Sequence, residues 1–393
     1  MRLERKDTAI LAVLCSVALA AAGVACGAER RADCPIGVFD SGTGGLTVLE
    51  KLLAADAFDN VTGEQVSDGK PDFTAEDFVY FGDQANMPYG IYDAEGKADF
   101  LRELVVRDTK FVMGHDRHEP SKIVVIACNT ATAYGLEAAT AEAKPKGVKV
   151  IGVVNAGVAA TMDALNVKKG IAPFAVGVIA TPGTIASGVY ERTLRAELAA
   201  RDVTGCEIVN RGGIGLAEAV ENDEPGMKDC ARTNFVALVE AHRASGGKVP
   251  LRAVILGCTH YPFVLSVFKE SLASLRADPK YKGLIADDLV FVDPAVYTAI
   301  QCFRALKKDG LLRSAKVSRC ESVSPSSPQR VKAFMSVGRY GPLSHAIKYG
   351  RSVGQSDIGT VIVPMTRDTM SGDAVKRLSM LLPLSAKEIF AQP

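Results

Sequence analysis

The chain has 393 residues, 48% of them apolar and 23% charged, with a formal net charge of +1 at pH 7. That length holds two domains or one large one, with a core that needs no disulfide or metal staples. A charge so close to zero gives no electrostatic footprint for nucleic acid or an acidic partner, and neither is expected.

Residues 1–28 differ from everything that follows. Arg2, Arg5 and Lys6 precede an uncharged stretch, Thr8 to Ala28, rich in Ala, Leu and Val and closing on GVACGA. A basic start, an apolar run and small residues before a polar segment describe a secretory signal peptide, so the expected location is extracytoplasmic, periplasmic or secreted. A membrane anchor is the competing reading, since ~20 apolar residues span a bilayer. If the segment is not a working signal, the protein is cytoplasmic. Gly23 stands where a lipobox prefers a larger aliphatic residue, which weighs against lipidation of Cys26.

From Pro35 onward, short apolar runs end in Gly, Asp, Ser or Thr and lead into helical patterns. In chain order these are PIGVFDSGTGGLTVLEKLL, SKIVVIACNTATAYGLEAA, KVIGVVNAGVAATMDAL, FAVGVIATPGTIASGVYERTL and LRAVILGCTHYPFVLSVF. Continuous Val/Ile strands alternating with amphipathic helices predict buried parallel sheets in an α/β fold. Ligand-binding groups in such sheets gather beyond the carboxyl ends of the strands, where all five polar clusters fall. A coarse repeat is also present. IGVFDSGTGG then VVIACNTA in the first half correspond to VGVIATPGTI then VILGCTHY in the second. The fold expected is two pseudo-symmetric parallel-sheet α/β lobes with the active site in the cleft between them. The first lobe takes residues 35–153 plus 280–350, the second 154–279, and 351–393 form a C-terminal extension of unknown role. Loops are expected at 56–77, 114–122 and 318–330, which are rich in Gly, Pro, Ser or charge.

The FDSGTGG turn (39–45) lacks the third glycine of a dinucleotide loop and the Lys-Ser/Thr of a phosphate loop. Its glycines suit close approach of the backbone to a small ligand. Asp40 at the strand end is then a ligand or acid–base residue, or else Asp40 or Ser41 is simply a helix cap. His115 and His118 lie on a charged loop without a third partner and read as a solvated pair, not as metal ligands.

Nine cysteines are present, and Cys15 and Cys26 belong to the N-terminal segment. The remaining Cys34, Cys128, Cys206, Cys230, Cys258, Cys302 and Cys320 show no CxxC spacing, so zinc or thioredoxin-like chemistry has no support. Cys128 and Cys258 stand out because each follows an apolar strand in a matching frame. Asn129 and Thr130 follow the first, Thr259 and His260 the second. A cysteine beginning a helix feels the positive end of the helix dipole, which lowers its thiol pKa from ~8.5. Cysteine–histidine nucleophilic catalysis needs only one such thiol. Two matched thiols suit proton removal from one face of a carbon and proton return to the other, that is, stereoinversion.

FDSGTGG, YFGDQANMPYG, ACNTATA, ATPGTIASGVYE and LGCTHYP together resemble the glutamate racemase branch of the aspartate/glutamate racemase family. They occur in family order from Pro35 to Tyr349, with VKAFMSVGRYGPLSHAIKYG (331–350) as the closing segment. The resemblance implies that Cys128 acts on D-glutamate and Cys258 on L-glutamate, with Asp40 assisting Cys128 and His260 assisting Cys258. It places substrate around Asp40, Ser41, Tyr89, Gly90, Asn129, Thr130, Thr259 and His260, with Thr181 and Thr184 lining the cleft. It implies no pyridoxal phosphate and no metal, a homodimer, and a supply of D-glutamate for peptidoglycan precursors of the cell wall. Gln84 and Asn86 replace a Thr and an Arg of the family pattern, and Asn155 replaces a Glu. The segment EIVNRGGIGLAEAVE (207–221) leaves open whether Glu218 or Glu221 is the family's functional glutamate. An exported copy would act on extracytoplasmic amino acids and depend on keeping both thiols reduced. A racemase for aspartate or another amino acid, and a non-catalytic amino-acid-binding protein on the same fold, are the alternatives.

Overall fold

A computed structural model describes residues 31–313 and 330–390. The signal-like residues 1–28, Cys320 and nearly all of the 318–330 loop lie outside the described residues. Among the described residues, no helix is long and apolar enough to cross a membrane.

Among the described residues, ten strands build two sheets. They are β1 (Ile36–Asp40), β2 (Phe78–Gly82), β3 (Ile123–Ile126), β4 (Lys149–Gly152), β5 (Ala175–Ala180), β6 (Glu207–Gly212), β7 (Leu251–Gly257), β8 (Ile285–Val292), β9 (Val331–Gly338) and β10 (Thr360–Pro364). The first sheet runs β10-β9-β2-β1-β3-β4 and the second β6-β5-β7-β8. Every pairing is parallel except β9 with β10. The strands IGVFD, FVYFG, IVVI and AVGVIA are buried along their whole length, as continuous apolar runs in helix-covered parallel sheets should be.

The repeat read in the sequence is a repeat of topology. In each lobe the second strand joins one side of the first and the third joins the other, so β2-β1-β3-β4 and β6-β5-β7-β8 share one order. Reversal of direction at the first strand opens a crevice beyond its carboxyl end, flanked by the third. The two crevices carry the turns after β1 and β3 in one lobe and after β5 and β7 in the other.

Two expectations about lobe boundaries change. Strand β8 pairs with β7, so residues 285–292 belong to the second sheet and the chain returns to the first lobe later than residue 280. The return is made by helix Pro294–Lys308, started by Asp293, whose carboxylate accepts from Ala295 N–H at 3.0 Å. Residues past 350 are not an appendage, because β10 completes the first sheet. Val375, Leu378, Leu382, Ala386, Ile389 and Phe390 of the following helices join the first lobe's core.

Candidate active site

Each functional side chain sits where a buried strand hands over to a turn. Asp40 ends β1 and is completely buried, and its Oδ2 accepts the Gly42 N–H at 3.0 Å. The glycines that follow allow the lobes to meet. A Cβ on Gly44 would lie 2.5 Å from His260 Cε1 and 2.6 Å from Thr259 Oγ1, so only glycine fits. Across this seam Thr259 Oγ1 reaches Asp40 Oδ1 at 3.4 Å, and the Thr47 hydroxyl donates to the Thr259 carbonyl at 3.3 Å.

Cys128 follows β3 and caps helix Asn129–Ala143, its Sγ accepting the Ala131 N–H at 3.4 Å. Ser41 Oγ lies 3.6 Å from the same sulfur. The expectation of a lowered thiol pKa fails here. Burial and the Asp40 carboxylate push the Cys128 thiol well above its ordinary value, outweighing the Ala131 amide and Ser41 hydroxyl. A thiol surrounded by protein and facing an anion keeps its proton.

Cys258 follows β7. A turn and the short helical segment Tyr261–Val264 separate it from helix Leu265–Ala277, so it does not begin an α-helix as Cys128 does. Its partner is His260, with Nδ1 3.6 Å from Sγ. On the other edge of the ring, Nε2 lies 2.7 Å from Glu221 Oε2. Thr43 holds this carboxylate with its hydroxyl, 2.8 and 2.9 Å from the two oxygens, and its N–H at 3.2 Å. Burial alone would raise the Glu221 pKa, but hydrogen bonds from His260 and Thr43 pull it down to about 2. Burial likewise opposes charge on His260, and its bonds to Cys258 and Glu221 prevail, holding its pKa well above the ordinary value. The result is an imidazolium clamped between a thiol and a carboxylate.

Burial raises Asp40 to a pKa of about 6, partly offset by the His260 charge. It is therefore ionised at neutral pH and titrates within the physiological range.

Ser41, Tyr89, Gly90, Cys128, Asn129, Thr130, Thr181, Cys258, Thr259 and His260 line one narrow cavity, together with Met87, Pro88 and Ala217. Of the residues expected in the site, Asp40 stands behind this wall, and Thr184 is tied to it through a triangle of hydroxyls. Thr130, Thr181 and Thr184 each lie 2.9 Å from the other two. Asn129 is oriented from the second lobe, where Tyr190 donates to its Oδ1 at 2.6 Å. A second cavity of about 470 Å³ adjoins the first across Met87 and Pro88 and is lined by Glu218, Glu221, Asn222, Ser336 and Lys348, among others.

Tyr89 reaches the cavity, but its hydroxyl is committed elsewhere. It lies 2.6 Å from both Asp83 Oδ2 and Asp108 Oδ2. One O–H cannot donate to two carboxylates, so this arrangement needs a further proton. Asp108, pushed by burial to a pKa of about 7, is the group that holds it. Arg107 bonds both carboxylates, at 2.6 Å to Asp83 and 2.7 Å to Asp108. Beside this network Asn86 donates to Asp83 and accepts from the Arg351 guanidinium.

Position distinguishes Glu218 from Glu221: both line the outer cavity, and Glu221 in addition bonds His260. Met87, Pro88 and Ala217 are lining residues that the sequence did not single out. Pro88 and Met87 adjoin the recognised Tyr89–Gly90 pair, which was the available signal.

With this geometry in hand, comparison with known proteins is direct. A family model described as Asp/Glu/Hydantoin racemase matches residues 72–279. A glutamate racemase of Chlorobaculum parvum is 31% identical over 301 residues, covering 76% of this chain and 89% of that one. A glutamate racemase of Clostridium novyi is 32% identical over 275 residues, with 70% and 84% covered. Among solved structures, a glutamate racemase isoform of Bacillus anthracis matches with a TM-score of 0.51 and 28% identity, covering 71% of this chain and 84% of that chain. A glutamate racemase of Francisella tularensis, crystallised in complex with D-glutamate, also gives a TM-score of 0.51, with 26% identity and coverage of 72% and 85%. The chain belongs to the aspartate/glutamate/hydantoin racemase family, and its α/β fold is the one its solved relatives share.

Proposed function

We propose that the protein is a glutamate racemase that inverts the α-carbon by two-base proton transfer between Cys128 and Cys258, without a cofactor. The observation that carries this reading is that thiols from corresponding strands of two opposed lobes line a single cavity. A thiolate removes the α-proton from one face while the opposite thiol donates its proton to the other face. The carbanion takes the proton of the opposite thiol, or takes one back on the face that lost it, and each inversion leaves the two sulfurs with exchanged protonation states. With L-glutamate Cys258 is the base and Cys128 the acid, and with D-glutamate the roles reverse.

The surroundings fit those roles. The raised pKa of Cys128 suits an acid that keeps its proton until the carbanion appears. The imidazolium of His260 beside Cys258 stabilises negative charge on sulfur. Amide and hydroxyl groups of Asn129, Thr130, Thr181 and Thr259 are positioned to hold the substrate's ammonium and carboxylates. The relatives named glutamate racemase, one of them bound to D-glutamate, support glutamate as the substrate. The signal-like residues 1–28 support action outside the cytoplasm.

The test uses reduced protein in D2O with L-glutamate and, separately, L-aspartate, following the α-proton by NMR and the enantiomers by chiral chromatography. Deuterium at Cα with formation of D-glutamate is the expected result. Inversion of aspartate instead would replace the substrate, and binding of glutamate without any exchange would make the chain a binding protein.

A further inference from the structure

The last stretch of the chain is anchored in one lobe and reaches into the other. Strand β10 completes the first sheet. Helix Gly372–Leu381 buries Val375 and Leu378 in that lobe's core. Helix Pro383–Phe390 is tied down at its start by Glu50, whose two carboxylate oxygens accept from Leu384 N–H at 3.1 Å and Ser385 N–H at 2.7 Å. From this fixed base Arg377 crosses the seam. Its Nη1 donates to the Val220 carbonyl at 2.7 Å and its Nη2 to the Glu221 carbonyl at 2.8 Å.

These carbonyls end the six-residue helix Leu216–Glu221, where the ladder of intrahelical bonds runs out; the Val220 carbonyl also accepts the Asp223 N–H at 3.3 Å. The guanidinium supplies two donors in a rigid fork, which fixes direction as well as distance. The residue gripped through its backbone is the one whose carboxylate holds His260.

We propose that Arg377 is a positioning residue for the Cys258 half of the site: by fixing the backbone of Glu221 from the other lobe, it sets the carboxylate that keeps His260 against Cys258. The inference rests on the racemase reading above. It gives the C-terminal segment a role, because the chain Arg377, Glu221, His260, Cys258 runs from that segment to the reacting sulfur. Every link is a contact at stated distance, and a displacement of about 1 Å in such a chain lowers turnover by up to ~10²-fold. The titratable groups facing His260 are Cys258 on its own turn, Glu221 from the second lobe and Asp40 from β1, while Tyr80 of β2 faces both carboxylates. Of these, Glu221 is the one whose position Arg377 controls.

The experiment compares full-length wild type with Arg377→Ala, Arg377→Lys and, as control on the exposed side of the same helix, Lys376→Ala. Racemisation is measured across pH, the His260 ring is titrated by NMR, and α-proton exchange of D-glutamate in D2O reports the Cys128 half. Arg377→Ala is expected to lower racemisation about tenfold. His260 should titrate at lower pH, carrying the alkaline limb of the profile with it, while D-glutamate exchange stays near wild type. Lys should restore part of the loss, and Lys376→Ala should behave as wild type. An unchanged rate and profile in Arg377→Ala would overturn the proposal. A loss uniform in pH, equal in both halves and with His260 titrating normally would also overturn it, leaving Arg377 as a stabilising residue only. If Arg377→Ala does not fold, Arg377→Gln, which keeps one donor, carries the same comparison. Should wild type fail to racemise glutamate, the functional reading falls, and the His260 titration still decides whether Arg377 sets the Glu221–His260 pair.

Discussion

Cys128 and Cys258 follow equivalent third strands of two sheets with the same strand order, yet the charge around them is opposite. Cys128 faces a buried carboxylate, Asp40, and an amide and a hydroxyl share its sulfur. Cys258 faces a cation, the imidazolium held by Glu221. Duplicated backbones therefore carry unlike electrostatics, and the difference suits a resting enzyme with an acid on one face and an anion-supporting centre on the other. Symmetric surroundings would leave both thiols protonated or both ionised, and neither state can start the reaction in one step.

The largest expected effect comes from breaking either half outright. Cys128→Ser and Cys258→Ser should each lower inversion by about 10³-fold or more, at the upper range for loss of an acid–base group. The comparison becomes sharper in D2O. The Cys258→Ser variant retains the base that meets D-glutamate and should still exchange its α-proton without inverting it, and Cys128→Ser should do so with L-glutamate. Exchange of both enantiomers by either variant would show that the halves are not face-specific.

Next in size is Glu221→Gln, expected to lower turnover ~10–100-fold by releasing His260. His260 has a raised folded pKa, so its charge persists to higher pH than in a free imidazole. Without the carboxylate that charge is lost as pH rises through a lower value, and the alkaline limb of the profile moves down. Glu218→Gln, three residues earlier, should leave the profile where it is.

Asp40→Asn tests the other half. Asp40 titrates at about 6 when folded, above the ordinary ~3.9 of the unfolded chain. Its protonated form is favoured by folding, so its contribution is fully present below ~4 and is lost as pH rises through about 6. The asparagine variant has no such loss and should gain in stability relative to wild type from pH 4 to 7, by up to ~3 kcal/mol at the upper end, seen as a rising difference in melting temperature. With the anion gone, the Cys128 thiol should titrate at lower pH and racemisation should fall.

The smallest effect on catalysis belongs to Tyr89→Phe. Its hydroxyl serves Asp83 and Asp108, so KM should hold while stability falls by ~1–3 kcal/mol, measured by denaturant unfolding.

Both cysteines, Asp40 and His260 were legible because parallel strands bury their length and release polar groups at one end only. Strand periodicity carries that information locally. The Glu221–His260 bond was not legible. Glu218 and Glu221 are three residues apart on a helix of six, and which one meets a histidine from another strand depends on how that short helix is rotated. The Cys128 thiol shows a similar limit. Its place at a helix start was readable, but burial beside Asp40 is a non-local fact and it reverses the expected shift. Residues 351–393 were opaque for the same reason. TVIVP is a short apolar run whose partner, β9, pairs antiparallel, and Arg377 and Arg351 find acceptors far away in the chain.

The central claim, that two opposed thiols each work on one face, is tested most directly by the isotopic content of the first product. Reduced wild-type protein is given L-glutamate in D2O and stopped at a few per cent conversion. Thiol protons exchange with solvent, so a two-thiol enzyme should yield D-glutamate carrying deuterium at Cα while the remaining L-glutamate keeps its protium. Protium retained in the product would mean that one group removes and returns the same proton, contradicting the account.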